Sequence, residues 1–411
     1  MKLIKKLDSP LIKGSIILVI SFGLFNFINF LFQFFMARML SIEEYGILAS
    51  IFSIIYIFSV FTDSIQNVMV KYSAIEETDG RLKNIFKRFV RRLRPISLVI
   101  FIGYLIVALF LSPILKIDYS LLALTGIMFL LAFFTPLTRG ILQGRKRFNS
   151  LSINMAVESA LRLIMGLLLV FLGIGVLGAV LGTIIGGGLA FGLSLFQTRG
   201  VLKAKEEETK PIGVYNYAKP SLVITAVVII FCSLDVILAR IFFSAEIAGS
   251  YAIASVLGKI IFWGTSPVSK AMLPFSSIKE AENGRKTPIF FTALILILLG
   301  IGFILAIFSI FPGQIISIFS EEAVPIAINI LFYNGISFGL ISIANLILLY
   351  RLSTGAIYRY SLLPVFLIIE VVLLSVFSNS LMQFTQAFIV SSLIFSLGSL
   401  LLLKKKNPMA R

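Results

Sequence analysis

The residues with chemical potential in this sequence are the few charged and amide side chains that interrupt long apolar runs. Glu158, Arg162, Asp235, Lys259 and Glu370 each fall inside such a run. An ionisable group held at bilayer depth costs at least ~2.5–3.5 kcal/mol on insertion scales, so each one demands a reason. Counted from the expected ends of their runs at ~1.5 Å per residue, Arg162, Lys259 and Glu370 sit roughly 15–18 Å deep. Glu158 and Asp235 are shallower, on the inner and outer halves respectively. Asn154, Glu158 and Arg162 are spaced by four and share one helical face. Glu158 and Arg162 are therefore either an ion pair that holds a helix in its bundle or a pair that takes part in coupling. Asn26, Asn29 and Gln33 line one face of the first apolar run, as a helix–helix contact or as the wall of a polar cavity.

These groups divide by charge. Arg162 and Lys259, with Asn26, Asn29 and Gln33, are candidates to contact a substrate, the two cations attracting an anionic headgroup. Glu158, Asp235 and Glu370 are candidates to bind a coupling proton or sodium ion, because desolvation penalises an unpaired carboxylate more than its acid. Asp63 lies about a full span beyond Tyr45 and reads as an interfacial residue near Lys71. The chain has no histidine, which removes imidazole acid–base chemistry. Its one cysteine, Cys232, excludes an internal disulfide and a thiolate zinc site. No catalytic residue, resident metal or cofactor is expected.

The elements that must position these groups are membrane helices. The composition is 58% hydrophobic and 13% charged, against ~25% charged in soluble domains, and mean hydropathy is +1.03. Runs at roughly 14–36, 45–69, 96–115, 121–142, 151–173, 176–198, 217–243, 247–268, 288–312, 323–350, 358–378 and 384–403 are each long enough to cross ~30 Å of hydrocarbon. The first is too long for a signal-peptide core and ends at no small-x-small cleavage site. The net charge of +17 does not mark a nucleic-acid binder, because the basic residues fall in every second connection. Lys71 to Arg94, Arg139 to Arg147, Arg199 to Lys219, Lys270 to Lys286, and Arg351 with Arg359 are basic, as are the first residues and the tail. The alternate connections carry little charge beyond Arg38 with Glu43 and Glu44, Lys116 with Asp118, Arg240 with Glu246, and Glu321 with Glu322. This alternation predicts twelve spans with both termini cytoplasmic.

The chain also repeats itself. Ala37-Arg38 followed by Ser41-Ile42-Glu43-Glu44-Tyr45-Gly46 is echoed by Ala239-Arg240 followed by Ser244-Ala245-Glu246-Ile247-Ala248-Gly249. Arg139, Arg147 and Glu158 are echoed at one spacing by Arg351, Arg359 and Glu370. In this register Gln33 falls opposite Asp235, while Leu374 stands where Glu370 would need an equivalent of Arg162. Two echoes in one order predict an all-α membrane protein of two six-helix bundles, 1–200 and 217–411, joined by a cytoplasmic linker over 201–216. Parallel repeats are a known transporter plan, with substrate near the midplane between halves. Ser41 and Ser244 read as helix caps, and Gly46 and Gly249 as close-packing positions. Arg139-Gly140 and Gly144 to Arg147 read first as a cytoplasmic anchor. Pro136, Pro220 and Pro364 are candidate hinges.

Leu40 to Gly46, Val70-Lys71-Tyr72-Ser73-Ala74, and Arg139-Gly140-Ile141-Leu142-Gln143-Gly144 leading to Glu158 and Arg162 resemble the polysaccharide-exporter branch of the multidrug/oligosaccharidyl-lipid/polysaccharide exporter superfamily. Tyr217 to Pro220, Leu234-Asp235, Ser244 to Glu246 and Ala248 to Ala252 resemble the same family's seventh and eighth spans. The likeness thins after Phe311, where Phe319-Ser320-Glu321-Glu322 replaces the expected pattern, and the sequence lacks the further pair of spans of the peptidoglycan-precursor flippases. The resemblance implies a flippase that moves a lipid-linked oligosaccharide or polysaccharide precursor across the cytoplasmic membrane by alternating access. Its partners would be the lipid-linked glycan, membrane lipids and a coupling proton or sodium ion, and a two-half transporter can work as a monomer. Two alternatives stand beside it. A drug/cation antiporter of the same superfamily would share the fold but favour acids without Arg162 and Lys259. A membrane-embedded glycan polymerase or glycosyltransferase would need a sizeable extramembrane loop, and the alternate connections are short.

Overall fold

The computed structural model describes the backbone of residues 10–209, 215–282, 287–320, 325–353 and 359–401. Lys2, Lys5, Lys6, Lys210, Arg285, Lys286, Glu321, Glu322, Lys404 to Lys406 and Arg411, which entered the charge argument, lie outside the described residues, as do the side chains of Lys13, Lys219 and Lys279.

Each of the twelve apolar stretches carries a helix, and the described residues are helical almost throughout. In chain order they are α1 (Pro10–Met39), α2 (Ile42–Ile75), α3 (Asp79–Leu115), α4 (Tyr119–Gly144), α5 (Phe148–Leu169), α6 (Gly175–Gln197), the short α7 (Arg199–Lys203), α8 (Tyr215–Phe242), α9 (Ala245–Glu282), α10 (Thr287–Ile310), the short α11 (Pro312–Phe319), α12 (Pro325–Ser353), α13 (Pro364–Val376) and α14 (Leu381–Leu401). Among the described residues, ten helical stretches are long and apolar enough to cross a membrane, by length and composition. One of these, Phe148–Gln197, is bent between α5 and α6, where Gly173 has φ 82° and Gly175 φ 59°. The bend divides this 50-residue helical stretch into the two spans expected at 151–173 and 176–198. The apolar segment Tyr360–Val376 is shorter than the rest.

Two local expectations change. The basic stretch expected as a connection before residue 96 is helical, because Leu82, Ile85, Phe86, Phe89, Val90 and Leu93 recur at helical spacing and pack on Met69, Tyr72, Leu137 and Ile141. Thr78 caps this helix by accepting from the Arg81 amide at 3.3 Å. Pro364 does not interrupt a helix: it opens α13, where its missing N–H has no partner to lose. Pro136 and Pro220 do lie inside α4 and α8.

The chain forms two compact units. One comprises Met1–Leu40 and Phe58–Val214, the other Ser41–Ile57 and Tyr215–Arg411. In the first, α5 packs on α1 and α6, α4 packs on α6, and α3 on α4. In the second, α9 lies against α12, α10 and α8, while α14 bridges α12 and α13. Both copies of the repeated motif begin helices of the second unit. Ser41 and Glu44 form a capping box: the Ser41 amide donates to Glu44 at 3.1 Å, and the Glu44 amide donates to Ser41 Oγ at 3.3 Å. The glycines that end the two copies, Gly46 and Gly249, face each other.

In the first unit the segment after α7 lies along the start of α3. Glu206 accepts from Asn84 at 2.9 Å and from Lys87, Glu207 accepts from Thr78 at 2.8 Å, and the Glu207 amide donates to the Gly80 carbonyl at 3.3 Å. The Lys87 hydrogen bond, then that of Asn84, hold the Glu206 carboxyl below the usual carboxylate range. A carboxyl lowered on folding stabilises fully above its unfolded value of ~4.3, and that contribution is lost as pH falls through the lower folded value. A spin label on cysteine at Glu208, in a Cys232→Ser background, is expected to keep its mobility from pH 7 to about 5 and to loosen only below about 4. Loosening that begins above pH 5 would contradict this assignment.

Candidate functional site

Each unit buries a charged cluster, and the two differ in sign. In the first unit, α5 presents Asn154, Glu158 and Arg162 on one face, and Gly186 of α6 makes room beside them. A Cβ at Gly186 would stand 2.8 Å from the Arg162 amide nitrogen and 2.9 Å from the Glu158 carbonyl oxygen, so the helices meet here backbone to backbone. Glu158 accepts from Arg162 at 3.2 Å and from Arg139 of α4 at 2.5 Å. Arg139 also donates to Asn154 Oδ1 at 2.7 Å, and Asn154 Nδ2 donates to the Ala190 carbonyl at 2.7 Å. Arg162 completes the chain by donating to Asn29 Oδ1 of α1 at 2.6 Å. Two guanidinium groups surround one carboxylate, so the cluster carries a net +1 from Arg139 and Arg162 against Glu158. Its charged side chains are 13–15% exposed.

The expected i,i+4 pair between Glu158 and Arg162 is thus present, and Asn29 joins it. Gln33 is buried one turn further along α1. Asn26, one turn before Asn29, is exposed. Arg139 is the residue that sequence reasoning misplaced. Its neighbours Arg145 and Arg147 marked it as part of a surface anchor, yet it turns inward to Glu158, while Arg145 pairs with Asp79 at 2.9 Å and with the Glu76 carbonyl.

The second unit gathers Asp235 of α8 with Tyr251, Ser255 and Lys259 of α9. Asp235 accepts from Lys259 at 3.3 Å, from Tyr251 at 3.4 Å and from Ser255. Tyr251, Ser255 and Lys259 are spaced by four, the signal that could have identified the first two as members of this face. Lys259 Nζ also stands 5.6 Å over the Phe338 ring of α12. Glu370 of α13 is 0% exposed, and neither of its oxygens has a hydrogen-bond partner among the described residues. It lies within electrostatic reach of Asp235 and Lys259. Asn334 of α12 is likewise fully buried with both amide atoms unpaired. With every group ionised the cluster carries −1, from Asp235 and Glu370 against Lys259. A cleft with room for about a water molecule reaches Lys259, Cys232, Ser233, Tyr56 and Trp263.

Glu158 and Glu370 are repeat mates with opposite surroundings. Glu158 has two arginines; at the position matching Arg162, Leu374 is fully buried and offers no charge.

A family model described as polysaccharide biosynthesis protein matches residues 11–279. A search of proteins with curated descriptions gives no match to the sequence. Among solved structures, an inward-facing multidrug resistance MATE family transporter of the MOP superfamily is similar with a TM-score of 0.68 at 14% identity, covering 92% of this chain and 93% of that one. The lipid II flippase MurJ in an inward closed conformation is similar with a TM-score of 0.66 at 17% identity, covering 95% of this chain and 87% of that one. A MOP superfamily transporter from Pyrococcus furiosus, described by a reversed polarity of its binding pocket, is similar with a TM-score of 0.56 at 14% identity, covering 95% and 94%. The chain belongs to the polysaccharide biosynthesis protein family, and it is a multi-pass helical membrane protein with the fold of the MATE-like transporters.

Proposed function

We propose that this protein is a flippase for a lipid-linked oligosaccharide or polysaccharide precursor, working by alternating access in the cytoplasmic membrane with both termini cytoplasmic. The observation that carries this reading is the pair of buried clusters with opposite net charge. The first unit offers Arg139 and Arg162 around a single carboxylate, which suits the phosphate or pyrophosphate that joins sugar to lipid; guanidinium groups engage such oxyanions in a bidentate geometry. Asn29 extends that cluster with an amide able to hydrogen-bond sugar hydroxyls, and Gln33 follows one turn along α1. The second unit offers Asp235, the bare carboxyl of Glu370 and the unpaired amide of Asn334, which suits a coupling proton or sodium ion. Family membership supports the glycan, and the likeness to MurJ supports the headgroup-flipping step.

The test is headgroup translocation in cells that depend on this chain, with Glu158→Gln, Asp235→Asn and Glu370→Gln compared singly. Glu370→Gln and Asp235→Asn are expected to abolish the dependence of transport on the ion gradient while leaving the protein folded. Sodium added to purified protein is expected to change the fluorescence of Trp263, the single tryptophan, and Asp235→Asn is expected to remove the change. Full, gradient-dependent activity in all three variants contradicts the coupling assignment. The acidic cluster of the second unit favours one other reading, a drug/cation antiporter. In that case a cationic amphiphile competes for transport and an anionic lipid-linked sugar does not.

A further inference from the structure

The proximal part of α3 carries four arginines, Arg88, Arg91, Arg92 and Arg94, immediately before an apolar stretch. All four are exposed, and none of their guanidinium groups has a hydrogen-bond or ion-pair partner among the described residues. Arg88, Arg91 and Arg92 share a face at i, i+3 and i+4. Along the same side, the next turns expose Ile96 at 42%, Val99 at 69% and Ile102 at 48%. A cationic ridge that runs without interruption into an exposed apolar stripe is complementary to an amphiphile with an anionic head. The same ridge already holds an anion of the protein's own. Immediately before Arg88 and two turns earlier, Glu206 and Glu207 lie against Lys87 and Arg81, and Lys83 donates to the Ala204 carbonyl at 2.7 Å. This acidic strap is seated closely, since a Cβ on Gly80 would stand 2.3 Å from the Lys205 carbonyl oxygen.

We propose that the arginine ridge of α3 is a binding site for anionic phospholipid headgroups of the surrounding membrane, and that the acidic strap limits the site by occupying its first half. The ridge takes the phosphate, the stripe from Ile96 to Ile102 takes the acyl chain, and Glu206 with Glu207 neutralises the cations that would otherwise extend the site. The inference concerns bulk lipid and stands apart from the transport reading, because its test needs no translocated substrate. A basic side chain near an anionic surface contributes on the order of fivefold in affinity, so four acting together give a preference that mass analysis can read.

The experiment is native mass spectrometry of the full chain in detergent, titrated with phosphatidylglycerol or phosphatidylcholine of the same acyl length. The wild type is expected to retain phosphatidylglycerol about tenfold more tightly, less so at high salt. R88Q/R91Q/R92Q/R94Q is expected to bring the two lipids within about twofold, and E206Q/E207Q to tighten phosphatidylglycerol by about fivefold. Equal retention of the two lipids by the wild type overturns the proposal. So does an unchanged preference in the quadruple variant, provided it elutes and melts as the wild type does. If that variant fails to fold, E206Q/E207Q decides alone, and the absence of any gain counts against the strap.

Discussion

Glu158→Leu is expected to destabilise the first unit by about 3–5 kcal/mol, the cost of stranding buried charge. Glu158 is the shared acceptor of Arg139 at 2.5 Å and Arg162 at 3.2 Å, so its loss leaves two guanidinium groups facing each other with only Asn154 and Asn29 to engage them. The Nε of Arg162 already lacks a partner among the described residues, and like charge at short range adds to the cost. Partial exposure of the cluster, 13–15% at its charged side chains, moves the effect toward the lower end of that range. Removing a cation as well should restore part of the loss. Glu158→Leu combined with Arg162→Leu leaves Arg139 alone and should be more stable than the single variant, which is the reverse of additive behaviour. Thermal midpoints in one detergent measure this, and a double variant that is weaker than Glu158→Leu would show that ionic pairing is not what holds the cluster.

Gly249→Ala should cost the second unit about 1–3 kcal/mol, although alanine is the better helix former. The added Cβ would stand 2.1 Å from the carbonyl oxygen of Ile42, which is backbone and cannot swing aside. Gly46 presses from the other direction, with its own Cβ position 2.9 Å from the Gly249 Cα. The start of α2 and the start of α9 therefore separate or slide. Gly264, in the same helix, has nothing within 4 Å of its Cβ position, so Gly264→Ala should gain up to about 1 kcal/mol instead. Opposite signs for two identical substitutions in α9, read as midpoint shifts, check the packing argument. A loss of similar size at both positions would mean that helix geometry, not this close approach, governs the response.

Much of this was legible in the sequence because the bilayer leaves the backbone few options. Apolar length and alternating charge located the helical stretches, and the paired Ser-x-Glu-x-x-Gly motifs marked the starts of α2 and α9. Glu158 and Arg162 were legible because a spacing of four fixes their contact within a single helix. Arg139 was not, because its contact with Glu158 depends on how α4 and α5 pack, and its charged neighbours pointed to the surface. The basic start of α3 was hidden for a related reason: dense arginine lowers hydropathy, while the apolar spacing from Leu82 to Leu93 records a helix that packs on one side. The exposed position of Asn26 is likewise a matter of which way α1 is rotated, which three amides on one face do not determine.

The central claim is that oppositely charged clusters in the two units serve an anionic, lipid-linked sugar driven by a cation. Its most direct test is reconstitution of the purified chain in liposomes carrying a fluorescent polyprenyl-pyrophosphate-linked oligosaccharide in one leaflet. The account predicts that the headgroup crosses in a manner that depends on a proton or sodium gradient, and that Arg162→Gln slows it at least tenfold. Crossing that is absent in the wild type while a cationic amphiphile is exchanged for the ion would contradict it.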